Sequence, residues 1–251
     1  METSSVSRIF KLLDYVAQGG ATTNLSELAR QAGINRISAS RLLASLEEEG
    51  LLEALPQGGH RIGVRFLGLA ADALARDDLT GHGRRLVALL CKQVGWSSYL
   101  VELDGPYAVY LVREIPQTPL VSNIRPGSRL PAYLMAPGRA ILARRPEASW
   151  RELYQAARGD VRAGRMNYRE MAAQLKAARE RGCIWSFGGF EQGIDACAAP
   201  VFDASGAAIA AISAAGPSYH LAEHPAQRAQ IEAAVRATAG QLSQLLGHII
   251  D

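Results

Sequence analysis

Small polar and basic side chains follow one another in the stretch INRISASRLLASLEEEGLL, residues 34–52. Arginine side chains bind guanine edges or phosphate groups, and serine hydroxyls bind phosphate oxygens. The candidates for such contacts are Arg36, Ile37, Ser38, Ser40 and Arg41. They lie at the beginning of the stretch, whereas glutamates at 47–49 close it. The pattern indicates a helix with one end suited to a polyanion and one acidic end.

Three short helices are predicted to position these residues. Apolar residues repeat at helical spacing over 6–16 and stop at a glycine pair. A second helix follows a capping oxygen from Asn24 or Ser26, and Gly33 provides a tight turn. Asn35 is the predicted cap of the third helix. Two short helices joined by a glycine turn are typical of a helix-turn-helix unit.

A hairpin is predicted directly after the third helix. The segment LLEALPQGGHRIGV, residues 51–64, reads as two short strands around Gly58 and Gly59, with Arg61 placed to contact a phosphate backbone. The three helices and the hairpin together predict a winged helix-turn-helix. The alternative is a three-helix bundle that makes no DNA contact. Residues 1–61 carry six basic and seven acidic side chains, so DNA binding requires charge that is arranged rather than abundant.

Length and composition limit the remaining possibilities. A chain of 251 residues predicts two domains, and the net charge of +3 permits nucleic-acid binding without arguing for it. We expect a cytoplasmic protein, because no apolar run approaches about 18 residues and METSSVSR is not a secretory signal. Three scattered cysteines do not make a disulfide framework. No CxxC or HExxH spacing occurs, so we expect neither a metal nor a cofactor.

Four motifs, in order along the chain, resemble those of the IclR family of bacterial transcriptional regulators. The recognition helix of that family reads STVxRLLxxLxxxGxL and its wing ends in YRLG; here the sequences are SASRLLASLEEEGLL and HRIG. The segment RPGSRLPAYLMAPGRAILA is similar to the family's glycine-arginine segment. The segment GIDACAAPVFDASGAAIAAISAAGP is similar to its paired core strands. The resemblance extends from Val6 to Ile250.

The resemblance implies an α+β fold in three parts. These are a winged helix-turn-helix DNA-binding domain over 1–64, a linker helix over 65–80, and an α/β GAF-like effector-binding domain over 81–251. The residues agree independently, because VRFLGLAADALARDDL favours a helix. Apolar runs on either side of Asp104, Gly105 and Pro106 predict a hairpin. Helices are also predicted within 166–182 and 231–250.

The family resemblance also implies a pocket for a carboxylate effector. In that family, backbone N–H groups at the start of a helix hold the anion, which suits the positive end of the helix dipole, and core strands add polar groups. The matching positions here are Ala136, Pro137, Ser186, Ala196, Ser213 and Ala215, to which we add Tyr133 and Met135 as neighbours.

Several positions depart from the family pattern toward lower polarity. Pro137 has no N–H to donate, and Ala196 and Ala215 stand where a cysteine and a serine occur. Nearby aromatic residues, among them Trp185 and Phe187, suggest a larger ligand than glyoxylate or pyruvate. The segment GSRLPAY also resembles GTRLPAY of the subgroup that regulates protocatechuate and 4-hydroxybenzoate catabolism. We therefore expect an aromatic carboxylate or a related aromatic catabolite; the alternative is a small aliphatic acid.

Arg129 and Arg139 are two further candidates for pairing with a carboxylate. Arg139 follows a glycine inside the family segment, so its alternative role is structural, through backbone carbonyls.

Two other classes of protein remain as alternatives. An enzyme would need Cys183 or Cys197 beside a histidine such as His220 or His224, but no motif spacing places such a pair. We therefore expect no catalytic residues. An architectural DNA binder would not need so large a second domain.

The expected partners are double-stranded operator DNA, a small-molecule effector and a second copy of the chain. A winged domain reads only a few base pairs, so specific binding calls for a homodimer on two half-sites, or a dimer of such dimers. The apolar face predicted for the linker helix is a candidate contact between copies. It comprises Phe66, Leu67, Leu69, Ala70, Ala73 and Leu74.

Overall fold

The structure is a computed structural model that describes residues 4–75, 78–118, 122–159, 166–223 and 226–249. Its residues group into two compact units, Met1–Arg76 and Asp77–Asp251. None of the described helices combines the length and the apolar character that crossing a membrane requires.

The first unit confirms the predicted winged helix-turn-helix. Its elements are α1 Ser5–Ala17, α2 Leu25–Ala32, α3 Arg36–Glu48, β1 Leu52–Ala54, β2 His60–Ile62 and α4 Val64–Ala75. The two strands pair antiparallel as the wing. A single apolar core holds the helices together, with Leu12, Leu28, Leu43 and Leu52 almost fully buried. Burying a leucine side chain contributes about 1.5–3 kcal/mol, so these four are major contributors to the unit.

Local capping explains where α2 and α3 begin. The Asn24 side chain accepts hydrogen bonds from the N–H groups of Ser26 and Glu27, and Asn35 accepts one from Ser38. Gly33 ends α2 with φ 65°, a left-handed conformation that favours glycine. The tight turn between the helices therefore follows directly from residue types at three positions.

The predicted linker spans parts of two helices. Helix α4 ends at Ala75, and α5 Asp78–Val94 begins the second unit, while residues 76–77 lie outside the described part of the chain. Val64, Leu67 and Leu69 are exposed on α4, whereas Phe66 packs against the core of the first unit. The side chains of Ala73 and Leu74 lie outside the described residues. The boundaries at 64 and 80 remain predictions.

The second unit is built around one antiparallel sheet. After α5 its elements are β3 Ser97–Asp104, β4 Tyr107–Glu114, β5 Arg129–Pro131, α6 Ala136–Leu142, α7 Glu147–Ala157, α8 Tyr168–Arg181, β6 Ile184–Phe187, β7 Ile194–Phe202, β8 Ala208–Pro217, α9 Ser218–Glu223 and α10 Gln227–Leu245. The strand order is β5-β4-β3-β8-β7-β6. The predicted hairpin around Gly105 is confirmed as β3 and β4.

Helices cover both faces of this sheet. Helices α5 and α10 bury apolar side chains on one face, around Trp96 and Cys197. Helices α6, α7 and α8 bury theirs on the other, around Tyr99 and Tyr110. Strand β8 is buried along almost its whole length, which explains why its sequence, AIAAISAAGP, is nearly all apolar rather than alternating.

A β-bulge in β4 changes the faces that its side chains occupy after Tyr110. Leu100 pairs with Val112 and Val101 pairs with Tyr110, so Leu111 has no partner across the ladder. Successive side chains of a regular strand point to opposite faces, and the extra residue therefore allows Tyr110 to share the face of Tyr99 while Val112 lies on the other face.

Candidate functional site

The exposed beginning of α3 carries the predicted DNA-contacting residues. Ile37 is 75% exposed, Arg36, Ser40 and Arg41 are exposed, and Ser38 is half-buried. The inward side of the same helix is held by the buried residues Ala39, Leu43 and Leu46. The amphipathic pattern therefore presents the five candidates to solvent on a fixed support.

Arg36 and Arg41 differ in their pairing from Arg30, Arg61 and Arg65, each of which binds a glutamate. Among the described residues neither makes an ion pair, whereas Arg30 binds Glu27 on its own helix with N–O 2.5 Å. Arg61 on the wing also has a partner, since its guanidinium donates two hydrogen bonds to Glu53 at 2.8 and 3.0 Å. These bonds lower the pKa of the Glu53 carboxyl. The charges of Arg36 and Arg41 remain available to another molecule.

The glutamates at the other end of α3 are turned toward the wing and α4. Arg65 donates to both the backbone carbonyl and the carboxylate of Glu49, at 2.8 and 2.5 Å. His60 Nε2 lies 3.6 Å from Glu47 Oε2. The negative charge of Glu49 at the helix C-terminus, which the dipole disfavours, is therefore offset by Arg65.

A cavity lies between the sheet and the beginning of α6 in the second unit. Its floor follows the strand register: Ser186 pairs with Ala196, Ala196 with Ala215, and Tyr99 with Ser213. Because alanine side chains are short, the middle of this floor is hollow. The space between these residues is about 400 Å³ when the narrow gaps between side chains and the open mouth are counted, and the centre of a water molecule can occupy only about 30 Å³ of it.

Two loops and the segment before α6 cover this floor. The lining residues are Tyr99, Tyr110, Ser122, Ile124, Leu134, Met135, Ala136, Pro137, Ser186, Phe190, Glu191, Ile194, Ala196, Ser213 and Ala215. Seven of the eight predicted effector positions are among them. Tyr133 is not: it is buried, and its ring packs against Tyr154 with centroids 4.8 Å apart.

Trp185 and Phe187 do not belong to this cavity, so the prediction that they enlarge it is wrong. Both alternate with Ser186 along β6 and point to the opposite face of the sheet. Trp185 packs edge-on against Trp96, and Phe187 stacks on Trp185 with 2° between the ring planes. The aromatic lining comes instead from Tyr99, Tyr110 and Phe190.

The two tyrosines on the floor differ from ordinary core residues in their hydroxyl groups. Tyr99 is 1% exposed, and among the described residues its hydroxyl makes no hydrogen bond of ordinary length, although the nearby hydroxyls of Ser122 and Ser97 partly offset the rise that burial causes in its pKa. Burial raises the pKa of both Tyr99 and Tyr110, so both remain neutral at physiological pH. Their sequence offered no motif that marked them as pocket residues.

We expect Tyr99→Phe to leave the free energy of unfolding unchanged, or to raise it by up to about 1 kcal/mol, because it removes a buried hydroxyl that lacks a partner. Tyr154→Phe is the matched control, since the Tyr154 hydroxyl donates to the Met166 carbonyl at 3.1 Å. That control should lose about 1 kcal/mol. Urea unfolding of the full chain measures both, and a larger loss in Tyr99→Phe than in Tyr154→Phe would contradict the unpartnered state.

Neither arginine candidate reaches the cavity directly. Arg139 is 1% exposed and donates to the carbonyls of Tyr133 and Leu134 at 3.2 and 2.7 Å. This is the structural role through backbone carbonyls that the sequence left open, and burial lowers the pKa of Arg139 to about 10. Arg129 pairs with Asp104 at 2.8 Å and lies over the Tyr107 ring.

The two buried thiols of the core, Cys183 and Cys197, hydrogen-bond to each other. This bond lowers the pKa of Cys183, and together with burial it raises the pKa of Cys197. The side chain of His220 and all of His224 lie outside the described residues.

Family models and known proteins match both units. The model for the IclR helix-turn-helix domain matches residues 5–56, and that for the bacterial transcriptional regulator IclR C-terminal region matches 71–244. The transcriptional repressor IclR of Escherichia coli (strain K12) is 26% identical over 221 residues, covering 86% of this chain and 81% of that protein.

Solved structures share the fold over nearly the whole chain. An IclR transcriptional regulator from Silicibacter sp. TM1040 has a TM-score of 0.83 and 26% identity, covering 99% of this chain and 98% of that one. An IclR homolog from Microbacterium hydrocarbonoxydans, complexed with 4-hydroxybenzoate, has a TM-score of 0.81 and 21% identity, covering 97% and 99%. The C-terminal family model matches residues 71–244, which is more than half of this chain. The chain therefore belongs to the IclR family of bacterial transcriptional regulators.

Proposed function

We propose that this IclR-family regulator controls a catabolic operon in response to an aromatic carboxylate or a related aromatic catabolite. The observation that carries the proposal is the composition of the cavity: apolar and aromatic walls with a few polar groups, the usual character of a small-molecule site. The rings of Tyr99 and Tyr110 meet edge to face, with centroids 5.3 Å apart, and form one wall. Leu134, Ile194 and Phe190 supply the others.

Polar groups on the floor of the cavity can fix the orientation of the ligand. The Ser213 hydroxyl donates to the Cys197 carbonyl at 3.1 Å, and by rotating about its C–O bond it can donate to a ligand carboxylate instead. The beginning of α6 contributes few hydrogen-bond donors to the cavity, because Pro137 has no N–H. A ligand that relies mainly on ring contacts suits this site better than a two- or three-carbon acid does.

The proposed DNA contacts are those of α3 and the wing. Arg36, Ile37, Ser38, Ser40 and Arg41 enter the major groove, and Arg61 reaches a phosphate. Arg61 exchanges its Glu53 partner for that phosphate, which costs little because the pair is exposed. Because the proposed partner is operator DNA, we expect the protein to act in the cytoplasm.

Binding to two half-sites requires a homodimer, or a dimer of dimers, and we assign the exposed apolar residues of α4 to a contact between copies. Val64, Leu67 and Leu69 are 72%, 57% and 62% exposed. The effector acts by binding one arrangement of the assembly more tightly than another, which shifts the population between them.

Isothermal titration of the full chain tests the effector class. We expect 4-hydroxybenzoate or benzoate to bind and glyoxylate and pyruvate not to bind at the same concentrations, because the cavity offers ring contacts. Ser213→Ala should weaken that binding about 5- to 20-fold, the effect of one hydrogen bond, and leave DNA affinity unchanged. Binding of the aliphatic acids alone contradicts an aromatic effector.

A further inference from the structure

Glu191 is the one charged side chain among the described residues that line the cavity. It lies in the loop between β6 and β7 and is partly buried. Its Oε2 accepts a hydrogen bond from the Ser122 hydroxyl at 2.5 Å, and its Oε1 accepts one from the Asn123 N–H at 2.9 Å. Among the described residues no cation forms an ion pair with it. The carboxylate is therefore held in place by two neutral donors.

This carboxylate retains capacity for a further donor. An ionised carboxylate offers about four acceptor positions, and the two donors from residues 122 and 123 leave at least one on each oxygen. Because the group is partly buried, an additional hydrogen bond to it is charge-assisted and stronger than one between neutral groups. A ligand that brings an O–H or N–H group to this wall gains that bond.

The Tyr99 hydroxyl supplies the complementary group. It is buried, lines the same cavity and lacks a hydrogen-bond partner among the described residues. Burial raises the pKa of Tyr110 well above its usual range, with smaller contributions from Tyr99 and from the charge of Glu191. The carboxylate and the two phenol groups therefore share one region of the cavity, where Glu191 accepts and Tyr99 has a proton to donate.

A ligand carboxylate suits this wall less well than a hydroxyl group does. It would bring a second negative charge close to Glu191, and the guanidinium of Arg113, which pairs with Tyr99 across the ladder, already donates to the Ser122 carbonyl at 2.9 Å. A hydroxyl group, in contrast, donates one hydrogen bond and accepts another.

We propose that Glu191 and Tyr99 form a subsite for a neutral hydroxyl group on the effector, so that the ligand is a phenol whose O–H donates to Glu191 and accepts from Tyr99. Any carboxylate on the ligand lies at the other end of the cavity, away from Glu191. This inference rests on the aromatic effector proposed above and names its polar end.

The test compares three ligands on the unmodified chain and on Glu191→Gln, measured by isothermal titration on the full chain. Benzoate and 4-hydroxybenzoate differ only in the hydroxyl group, and 3-hydroxybenzoate places that group at another position on the ring. We expect at least one hydroxybenzoate to bind the unmodified chain about tenfold or more tightly than benzoate, as one hydrogen bond to a charged group allows. In Glu191→Gln this preference should fall to about threefold or less, with benzoate binding unchanged or tighter.

Two further variants keep the result interpretable. Glu152→Gln makes the same change of charge on the exposed side of α7 and should leave the preference unchanged. Tyr99→Phe should weaken binding of the hydroxybenzoate but not of benzoate, and it decides the question if Glu191→Gln fails to fold.

The outcomes separate this inference from the proposed function. Equal binding of benzoate and both hydroxybenzoates, or a preference that survives both Glu191→Gln and Tyr99→Phe, overturns the subsite while leaving an aromatic effector in place. Binding of glyoxylate or pyruvate with no aromatic binding overturns the aromatic effector and the subsite together.

Discussion

Arg41→Ala is expected to weaken binding to a DNA duplex about tenfold or more, because the exposed guanidinium at the beginning of α3 makes no ion pair among the described residues. One good base contact contributes about 1–3 kcal/mol, and a phosphate contact adds a comparable, salt-dependent amount. Fluorescence anisotropy at several salt concentrations measures the loss, on a duplex selected from random sequence by the unmodified chain. A phosphate contact lowers the salt slope by about one, whereas a base contact relaxes specificity at one position.

Arg30→Ala is the control for Arg41→Ala. Arg30 lies on α2 of the same unit and carries the same charge, but it already binds Glu27. We expect less than about a threefold change, since exposed ion pairs and distant charges have small effects. Equal losses in the two variants would mean that α3 does not read DNA and that only the summed charge of the unit matters.

Gly138→Ala is expected to lower the free energy of unfolding by about 2–3 kcal/mol, although alanine is the better helix former. A Cβ atom at this position would lie 2.4 Å from the carbonyl oxygen of Ala132 and 2.7 Å from its Cα. Both are backbone atoms in a buried segment, so they cannot move aside as a flexible side chain does. The beginning of α6 has to shift, and effector binding should be lost with it.

Gly81→Ala is the matched control, because Gly81 lies exposed in α5 and nothing would come within 4 Å of the added Cβ. This change should stabilise the chain by about 1 kcal/mol. Thermal unfolding of both variants measures the contrast, and a Gly138→Ala chain as stable as Gly81→Ala would show that α6 is less closely packed on residue 132 than the structure indicates.

The helices and the hairpins follow from local signals, which is why they were predictable. Asn24, Gly33 and Asn35 each act on neighbours within a few residues, through a cap or a left-handed turn. The hairpin at Gly105 is likewise a matter of adjacent residues. The position of β8 between β3 and β7 is different, because it joins segments about 100 residues apart; no local pattern encodes that pairing.

The candidate cavity was predictable only in part, for the same reason. Ala196, Ser213 and Ala215 were identified through the family resemblance, and the register brings them together on the floor. Tyr99 and Glu191 were missed because a tyrosine in a strand and an acid in a loop are common residues in common places. Proximity in sequence was also misleading: Tyr133 lies two residues from Met135, yet its ring turns toward Tyr154.

The bulge at Leu111 means that β4 accommodates one residue more than its partner strand without exchanging its faces. Leu111 and Val112 both lie on the face away from the cavity, while Tyr110 stays opposite Val101 on the cavity face. Deleting Leu111 would therefore restore a regular ladder and leave Tyr110 beside Tyr99. A deletion between Gly105 and Tyr110 would instead turn Tyr110 to the other face, so the position of a length change in β4 decides whether the cavity keeps this wall.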